Sequence, residues 1–423
     1  MNRDLEMDKS RVVIVGGGFA GTGMARRLER RLPADWDIVL ISQENCITYS
    51  PLLAEVVGAS ILPGHVVAPI RQILKRTRFR MASVSDIDFD QKEVRCSGDW
   101  TGSVGFDHLV LACGTTVNRR ALPGMAQHSL PLKTSGDALF LRNRVCVRLE
   151  MADMEEDGEQ RRWLTTFVVI GGGFSGVEVA GEINDFLRAS IKYYPNINRD
   201  DCQVILLHAQ DRILPELPAS LSEHALNRMR ARGIDIRTGI SVAEIDERGA
   251  RLESGQLIEG STTICTVGTA STPLIDKLPL SKQRGRILTE ADMSVPNYPG
   301  VWAAGDCAAI LNARDGQLSP ATAQFARRQA QQLAENLSRT IRGQKTRPFS
   351  YKSLGQLSSI GHQRAVAQIF GIHISGVLAW LIWRMVYLLM LPTLARKVRV
   401  FFEWTWSCLF PPDITHLSFS RTD

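Results

Sequence analysis

Two glycine-rich turns are the residues of this sequence best suited to chemistry. Both have the pattern G-x-G-x-x-G, and their glycines are Gly16, Gly18 and Gly21, then Gly171, Gly173 and Gly176. The first glycine of such a turn permits a sharp bend, the second lets the backbone approach a pyrophosphate, and the third lets helix and strand pack closely. Phosphates then bind the free N–H groups at the helix N-terminus. The chain is therefore predicted to bind two dinucleotides.

Each turn lies between a short apolar strand and a helix. In the first copy, residues 12–15 form the strand, 20–32 have helical periodicity, and 38–42 form a second strand. The second copy repeats this order with strands at 167–170 and 204–207. Repeated β-α-β units predict an α/β fold with two Rossmann-like dinucleotide-binding domains.

The positions of the two units also predict the domain organisation. We place the first domain at residues 10–134 and 286–350, with the second domain inserted at 135–285. Residues 351–423 form a C-terminal region of apolar and aromatic character.

Composition excludes several classes of protein. With 44% hydrophobic and 22% charged residues among 423, the chain is expected to be globular. Its eight cysteines lack C-x-x-C pairs and metal-ligand spacing, which predicts neither a disulfide framework nor a metal site. The charged N-terminus has no apolar run before residue 12, so we expect no secretory signal and a cytoplasm-like compartment.

The residue at the end of the second strand of each unit bears on nucleotide choice. A carboxylate at this place normally binds the ribose hydroxyls. The first unit has Ser42 there, with Glu44 two residues later, so Glu44 is the candidate. The second unit has His208, which does not repel a 2′-phosphate. The local chemistry at this position therefore permits both NADH and NADPH.

The two turns and the late motif "VWAAGDCA", residues 301–308, resemble two-dinucleotide flavoprotein oxidoreductases. The resemblance implies that the first unit and the late motif hold FAD and that the second unit holds NAD(P)H. The expected FAD residues are Gly16, Gly18, Gly21, Glu44, Pro51, Gly305 and Asp306. The expected NAD(P)H residues are Gly171, Gly173, Gly176, Glu178, His208 and Gly268.

Within that group the chain resembles the type II NADH dehydrogenases. The resemblance rests on residues 49–74, on "SPATAQFARRQAQQLAENL" at 319–337, and on "SGVLAWLIWR" at 375–384. It implies that Ala323 and Gln324 line a quinone site and that Glu178 relays protons. It also favours NADH, so we expect NADH oxidation with measurable NADPH activity. The family's second glutamine position is occupied here by Arg328, and Gln329 lies one place further on.

Other electron acceptors stay open at this point. Dithiol reductases of this architecture carry C-x-x-x-x-C after the first unit, whereas this sequence has only Cys46 there. The alternatives are a soluble NAD(P)H-dependent peroxide or disulfide reductase that uses Cys46, and a flavin-binding redox sensor.

The C-terminal region predicts contact with a membrane. Residues 374–391 are almost wholly apolar, and a polar-aromatic stripe recurs there at helical spacing. Its members are His373, Trp380, Arg384 and Tyr387, and a second helix places Leu394, Val398 and Phe401 on one face. Such helices lie in the membrane interface, where basic residues attract anionic lipid. We interpret the net charge of +6 as attraction to anionic lipid and not as a nucleic-acid surface. The alternative is that the apolar helices form a buried dimer interface.

Together these features predict a membrane-associated flavoprotein that passes electrons from NAD(P)H through FAD to a quinone without proton pumping. We expect a peripheral or monotopic protein on the cytoplasmic face of a membrane. The sequence leaves open which quinone is reduced and whether the protein forms a homodimer.

Overall fold

The computed structural model describes residues 9–98 and 100–417. The expectation of no secretory signal rests mainly on residues 1–8, which lie outside the described residues. Internal contacts divide the chain into two units. The first unit comprises Met1–Thr48, Ala68–Thr116 and Thr269–Ser353, and the second comprises Tyr49–Val67, Val117–Gly268 and Leu354–Asp423.

Helices and strands are numbered in chain order over the described residues. The α-helices α1 to α12 are Phe19–Arg31, Leu53–Val57, Ile70–Ile73, Met125–His128, Ser135–Met154, Gly158–Leu164, Phe174–Ser190, Ala219–Ala231, Pro273–Lys277, Ala323–Ile341, Val377–Met390 and Leu394–Leu409. The strands β1 to β28 are Arg11–Val15, Asp37–Ser42, Cys46–Thr48, Val67–Pro69, Arg78–Met81, Ser83–Asp88, Glu93–Ser97, Gly102–Gly105, His108–Leu111, Thr116–Val117, Ser129–Leu130, Thr166–Ile170, Gln203–His208, Asp235–Thr238, Val242–Asp246, Gly249–Leu252, Leu257–Glu259, Thr262–Cys265, Thr269–Ala270, Lys282–Gln283, Arg286–Leu288, Val301–Ala303, Ala308–Ala309, Leu311–Asn312, Gln317–Leu318, Gly355–Ser359, Ala365–Ile369 and Ile372–Gly376.

The first unit is built on a five-stranded parallel sheet. Its strand order is β22-β9-β1-β2-β5, and every neighbouring pair is parallel. Strand β1 has the sequence RVVIV and is almost wholly buried, as expected for a strand of a parallel sheet covered on both faces. Because α1 follows β1 directly, the first glycine turn lies at the carboxyl end of a central strand.

The second unit repeats this plan. Its parallel sheet has the order β11-β18-β12-β13-β14, and the second glycine turn connects central strand β12 to α7. A three-stranded antiparallel sheet, β26-β27-β28, and helices α11 and α12 belong to the same unit. The two parallel sheets confirm the predicted α/β fold class.

The C-terminal apolar segment is not a single helix. Residues 372–376 form strand β28, and Gly376 has a positive φ of 78° where the chain enters α11. His373 therefore lies on a strand, and its predicted place in a helical stripe with Trp380, Arg384 and Tyr387 is wrong. Within residues 9–98 and 100–417, the helices are too short or too polar to cross a bilayer.

A buried amide connects α10 to the loop that follows β22. Gln329 is only 1% exposed, and its Oε1 accepts the backbone N–H of Gly305 at 2.9 Å. Gly305 has a φ of 79°, a conformation that favours glycine. The hydrogen bond therefore fixes the start of the Gly305–Asp306 turn against α10.

Replacing this amide with an apolar side chain is expected to destabilise the first unit. Gln329→Leu leaves the buried N–H of Gly305 without its acceptor, at a cost of about 1–3 kcal/mol. Urea unfolding of the purified protein measures the change, and Gln331→Leu at an exposed position of the same helix is the control. Equal stability of the Gln329 and Gln331 variants would show that the bond contributes nothing.

Candidate functional site

The three glycines of the first turn have three different environments. Gly16 has a φ of 112°, and a Cβ there would collide with the carbonyl oxygen of Ala112. A Cβ on Gly18 would meet no atom within 4 Å, so the middle of the turn is open. At Gly21 the carbonyl oxygen of Gly16 occupies the Cβ position. The turn is thus tightly packed on both sides of one open backbone segment at the start of α1.

The Gly305–Asp306 turn lies beside this open segment. A Cβ built on Gly305 would lie 3.1 Å from the Cβ of Ala20, in the first turn of α1. The charge of Asp306 raises the pKa of Arg286, although burial of the guanidinium lowers that pKa more strongly. An open helix N-terminus with an adjacent carboxylate fits a flavin dinucleotide, whose diphosphate is anionic and whose hydroxyls donate hydrogen bonds.

The other two expected FAD residues have different positions. Glu44 is exposed, two residues beyond the end of β2. Pro51 belongs to the second unit, in the 3₁₀ turn Ser50–Leu52. Their assignment to FAD stays a prediction.

The second turn has the same three environments. Gly171 has a φ of 115°, and a Cβ there would lie 2.5 Å from Oγ1 of Thr266. The space around Gly173 is open, and the carbonyl oxygen of Gly171 fills the Cβ position of Gly176. These features fit a second dinucleotide at the start of α7. Gly268, expected in the same site, has a φ of 78°, and its carbonyl accepts the N–H of Asn118 at 3.0 Å.

His208 contacts the turn itself. Its Nδ1 accepts the backbone N–H of Gly172 at 3.0 Å, and a Cβ on Gly172 would lie 2.6 Å from the ring. Burial lowers the pKa of His208, although the nearby Glu216 opposes this effect. The imidazole is therefore neutral at pH 7, with its proton on Nε2, and supplies no negative charge at the end of β13. The carboxylates of Asp211 and Glu216 are exposed in the following loop.

Glu178 is buried one helical turn into α7. Its Oε1 accepts the N–H of Ser359 at 3.2 Å and the hydroxyl of Ser358 at 3.4 Å, both at the end of β26. Burial raises the pKa of Glu178 to about 8, and the charge of Glu55 adds to the rise. A carboxyl group with this pKa can donate a proton at neutral pH.

Two further buried acids were not assigned to the site from the sequence. Glu55 lies on α2, and its Oε2 accepts the indole N–H of Trp404 at 2.5 Å. Burial raises the pKa of Glu55 to about 7. Burial also raises the pKa of Glu182 well above its usual range, and the charges of Glu55 and Asp185 add to the rise. A lone acid within the apolar run "LLAEVV" was the available signal for Glu55.

Arg384 is the cation beside these acids. Its guanidinium lies 3.9 Å from the ring centroid of Trp380 and 5.0 Å from that of Trp404, and it donates to the carbonyl of Trp404 at 3.1 Å. Its charge lowers the pKa values of Glu55 and Glu182 against the larger effect of burial. The expectation that Arg384 faces anionic lipid is therefore wrong, since its charge is directed to buried carboxyl groups.

The candidate quinone residues begin α10 in the first unit. Ala323 and Gln324 are half-buried, and Oε1 of Gln324 accepts the hydroxyl of Ser353 at 3.3 Å. Arg328, at the second glutamine position of the motif, is exposed and lies 5.1 Å from the ring centroid of Tyr351. Gln329 is directed inward to Gly305, as described above. Of the two glutamine positions in the motif, the first, Gln324, therefore remains the candidate to contact the quinone.

Helices α11 and α12 each expose an apolar face. The exposed side chains recur at helical spacing, which agrees with the predicted amphipathic character. On α11 they are Val377, Leu378, Leu381, Met385 and Leu389, and on α12 Leu394, Val398, Phe401, Phe402, Trp406 and Leu409.

Comparison with known proteins agrees with this arrangement. Residues 10–330 match the family model of pyridine nucleotide-disulphide oxidoreductases, and residues 353–413 match that of the NDH2 C-terminal domain. The chain is 30% identical to the type II NADH:quinone oxidoreductase Ndh of Mycobacterium tuberculosis, over 94% of this chain and 88% of that protein. It is 31% identical to the demethylphylloquinone reductase NdbB of Synechocystis, over 94% and 96%.

A solved structure has the same fold. The structure of NDH2 from Plasmodium falciparum in complex with NADH matches with a TM-score of 0.89 and 19% identity, over 96% of this chain and all of that one. From the glycine turns, the two family models and these relatives, we conclude that the chain belongs to the type II NADH:quinone oxidoreductases, within the pyridine nucleotide-disulphide oxidoreductase family.

Proposed function

We propose that this protein is a membrane-associated NAD(P)H:quinone oxidoreductase that uses FAD and does not pump protons. The observation that carries the proposal is the repetition of one glycine geometry at two parallel sheets, at Gly16–Gly21 and at Gly171–Gly176. Two dinucleotide sites in one chain suit hydride transfer from a nicotinamide to a flavin. The relatives that share this fold support a quinone over the peroxide or disulfide alternative.

Each unit is proposed to hold one cofactor. Gly16, Gly18, Gly21 and Asp306 would hold FAD, because they surround the open N-terminus of α1. Gly171, Gly173 and Gly176 would hold the diphosphate of NADH at the start of α7. When bound, FAD accepts a hydride from the nicotinamide and supplies two electrons to the quinone.

Specific roles are proposed for two polar residues toward the quinone. Gln324 would hydrogen-bond a quinone oxygen, because its amide is half-buried at the start of α10. Glu178 would donate a proton to the reduced quinone, because its burial keeps the carboxyl group protonated at neutral pH.

The apolar faces of α11 and α12 are proposed to bind lipid. A contiguous exposed apolar surface of this kind marks a membrane or protein contact. Arg399 is exposed on α12, where a cation would meet anionic headgroups. We also propose that this contact is made at the cytoplasmic face of a membrane.

A half-reaction experiment tests the function. The purified protein should contain FAD, NADH should bleach it, and a short-chain quinone should restore its colour promptly. Cys46→Ser should keep the quinone rate within a few-fold of the parent, since a flavin needs no thiol to reduce a quinone. A reduced flavin that quinone does not reoxidise would favour the redox sensor, and loss of activity in Cys46→Ser would favour the single-cysteine reductase.

Charges on the apolar faces are expected to release the protein from membranes. Burying one Leu or Phe side chain contributes about 1.5–3 kcal/mol, so Leu381→Asp combined with Phe402→Asp should weaken vesicle binding at least about tenfold. Co-sedimentation with anionic vesicles measures the loss. Phe140→Asp is the control, because Phe140 is 53% exposed on α5, away from α11 and α12 in sequence. If vesicle binding is unchanged and a dimer dissociates instead, these faces bind a second copy of the chain.

A carboxylate at the end of β13 is expected to reject NADPH. His208→Glu should depress the NADPH rate far more than the NADH rate, since a carboxylate there repels the 2′-phosphate and binds the 2′-hydroxyl. Steady-state rates with both nucleotides give the ratio, and His128→Glu, at the exposed end of α4, controls for added charge. If the parent already rejects NADPH by several orders of magnitude, another residue performs this discrimination.

A further inference from the structure

Quinone reduction consumes one proton from water in every turnover. NADH delivers a hydride, which carries two electrons and one proton, whereas a quinol contains two added electrons and two added protons. The balance is NADH + H⁺ + quinone → NAD⁺ + quinol. If Glu178 donates the second proton, it must be reprotonated each time. Because Glu178 is buried, the proton needs a route from solvent.

A cavity of the second unit leads from the surface to a neighbour of Glu178. It has a volume of about 670 Å³ and is lined by residues at the end of α2, along α7 and at the end of α12. Its wall includes the exposed side chains of Arg188, His362 and Trp406. It also includes Glu182, which is only 6% exposed. Glu182 is therefore a buried acid that the cavity reaches.

Helix α7 places this acid beside Glu178. Residues 178 and 182 are four apart, so their side chains lie on the same helix face, about 5–6 Å apart at Cβ. The charge of Glu55 acts on both carboxyl groups, which places all three acids near one another, and a proton can pass between acids directly or through one water molecule. The end of α2 leaves room for Glu182, since a Cβ on Gly58 would collide with its Oε2.

The charges around Glu182 favour proton storage. Glu55, Glu178 and Glu182 form a buried acid cluster, in which the charge of Arg384 acts on Glu55 and Glu182. One guanidinium cannot compensate three buried carboxylates, so the cluster retains protons at neutral pH. Among the described residues, the other titratable or charged groups that act on this cluster or line its cavity are Asp185, Arg188, Arg232, His362, Tyr387, Glu403 and Asp413. Arg232 is paired with Asp185, and Glu403 with His65.

We propose that Glu182 relays the solvent proton for quinol formation from this cavity to Glu178, with Arg384 as the fixed counter-charge. Glu178 gives its proton to the reduced quinone and becomes a carboxylate. Glu182 then reprotonates Glu178 and recovers a proton from water in the cavity. The inference rests on the proposed function and adds Glu182 to it as a proton-relay residue.

Glu182→Gln tests the relay because glutamine keeps the shape and removes the exchangeable carboxyl proton. We expect quinone-dependent turnover to fall about tenfold or more, since general acid–base groups contribute about 10²–10⁴-fold. Turnover with ferricyanide, which takes electrons without protons, should stay within twofold of the parent. The solvent deuterium isotope effect on quinone turnover should rise, and the loss should deepen as the pH rises.

Matched variants separate a relay from a structural role. Glu182→Asp should recover much of the quinone rate, because it restores a carboxyl group. Glu223→Gln, an exposed position on α8, should leave both acceptors unaffected. A Glu182→Gln protein with parental quinone rate and isotope effect overturns the relay, while a parent that does not reduce quinone overturns the proposed function itself.

A second variant covers the case in which Glu182→Gln does not fold. Gly58 has a φ of −73°, so alanine is compatible with its backbone, but the added Cβ displaces the carboxyl group of Glu182. Gly58→Ala should therefore slow quinone turnover and spare ferricyanide turnover. If Gly58→Ala changes the quinone rate and the ferricyanide rate by the same factor relative to the parent, the proposal is overturned.

Discussion

Both parallel sheets depend on a close backbone approach that only glycine permits. The backbone of Ala112 leaves no room for a Cβ at Gly16, the side chains of Thr266 and Val267 leave none at Gly171, and both glycines have a positive φ. The third glycine of each turn lies directly against the carbonyl of the first. These contacts hold the first helical turn close to its strand, so that the free N–H groups remain available to an anion. The two proposed phosphate-binding sites follow from this one constraint.

In the first unit, α10 takes part in a further close contact with a glycine. The buried amide of Gln329 holds the N–H of Gly305, and Gly305 in turn packs against Ala20 of α1. A turn that follows an outer strand is thereby brought to the start of the central helix. Asp306 owes its position to a hydrogen bond made by a residue more than twenty positions later in the chain.

In the second unit, the dominant constraint is buried charge. Three carboxyl groups from α2 and α7 are buried, the charge of Arg384 acts on Glu55 and Glu182 among them, and Trp380 and Trp404 lie against its guanidinium. An unpaired buried charge is costly, so the C-terminal helices must stay packed on the unit to supply Arg384 and the indole of Trp404. This explains why the helices with the exposed apolar faces also contribute to the interior. Their outer faces carry the proposed membrane contact, while their inner faces contact the acid cluster.

The sequence by itself determined the local features. Glycine spacing and apolar runs predicted both β-α-β units and both dinucleotide turns, because strand, turn and helix preferences act over a few residues. The helical spacing of apolar residues also predicted the amphipathic C-terminus. Only the tertiary structure decided which polar residues are buried together. Glu55 and Arg384 are far apart in the chain, and their burial depends on how separate elements pack. For the same reason residue 373 is in a strand, since pairing of β28 with β27 overrides local apolar periodicity.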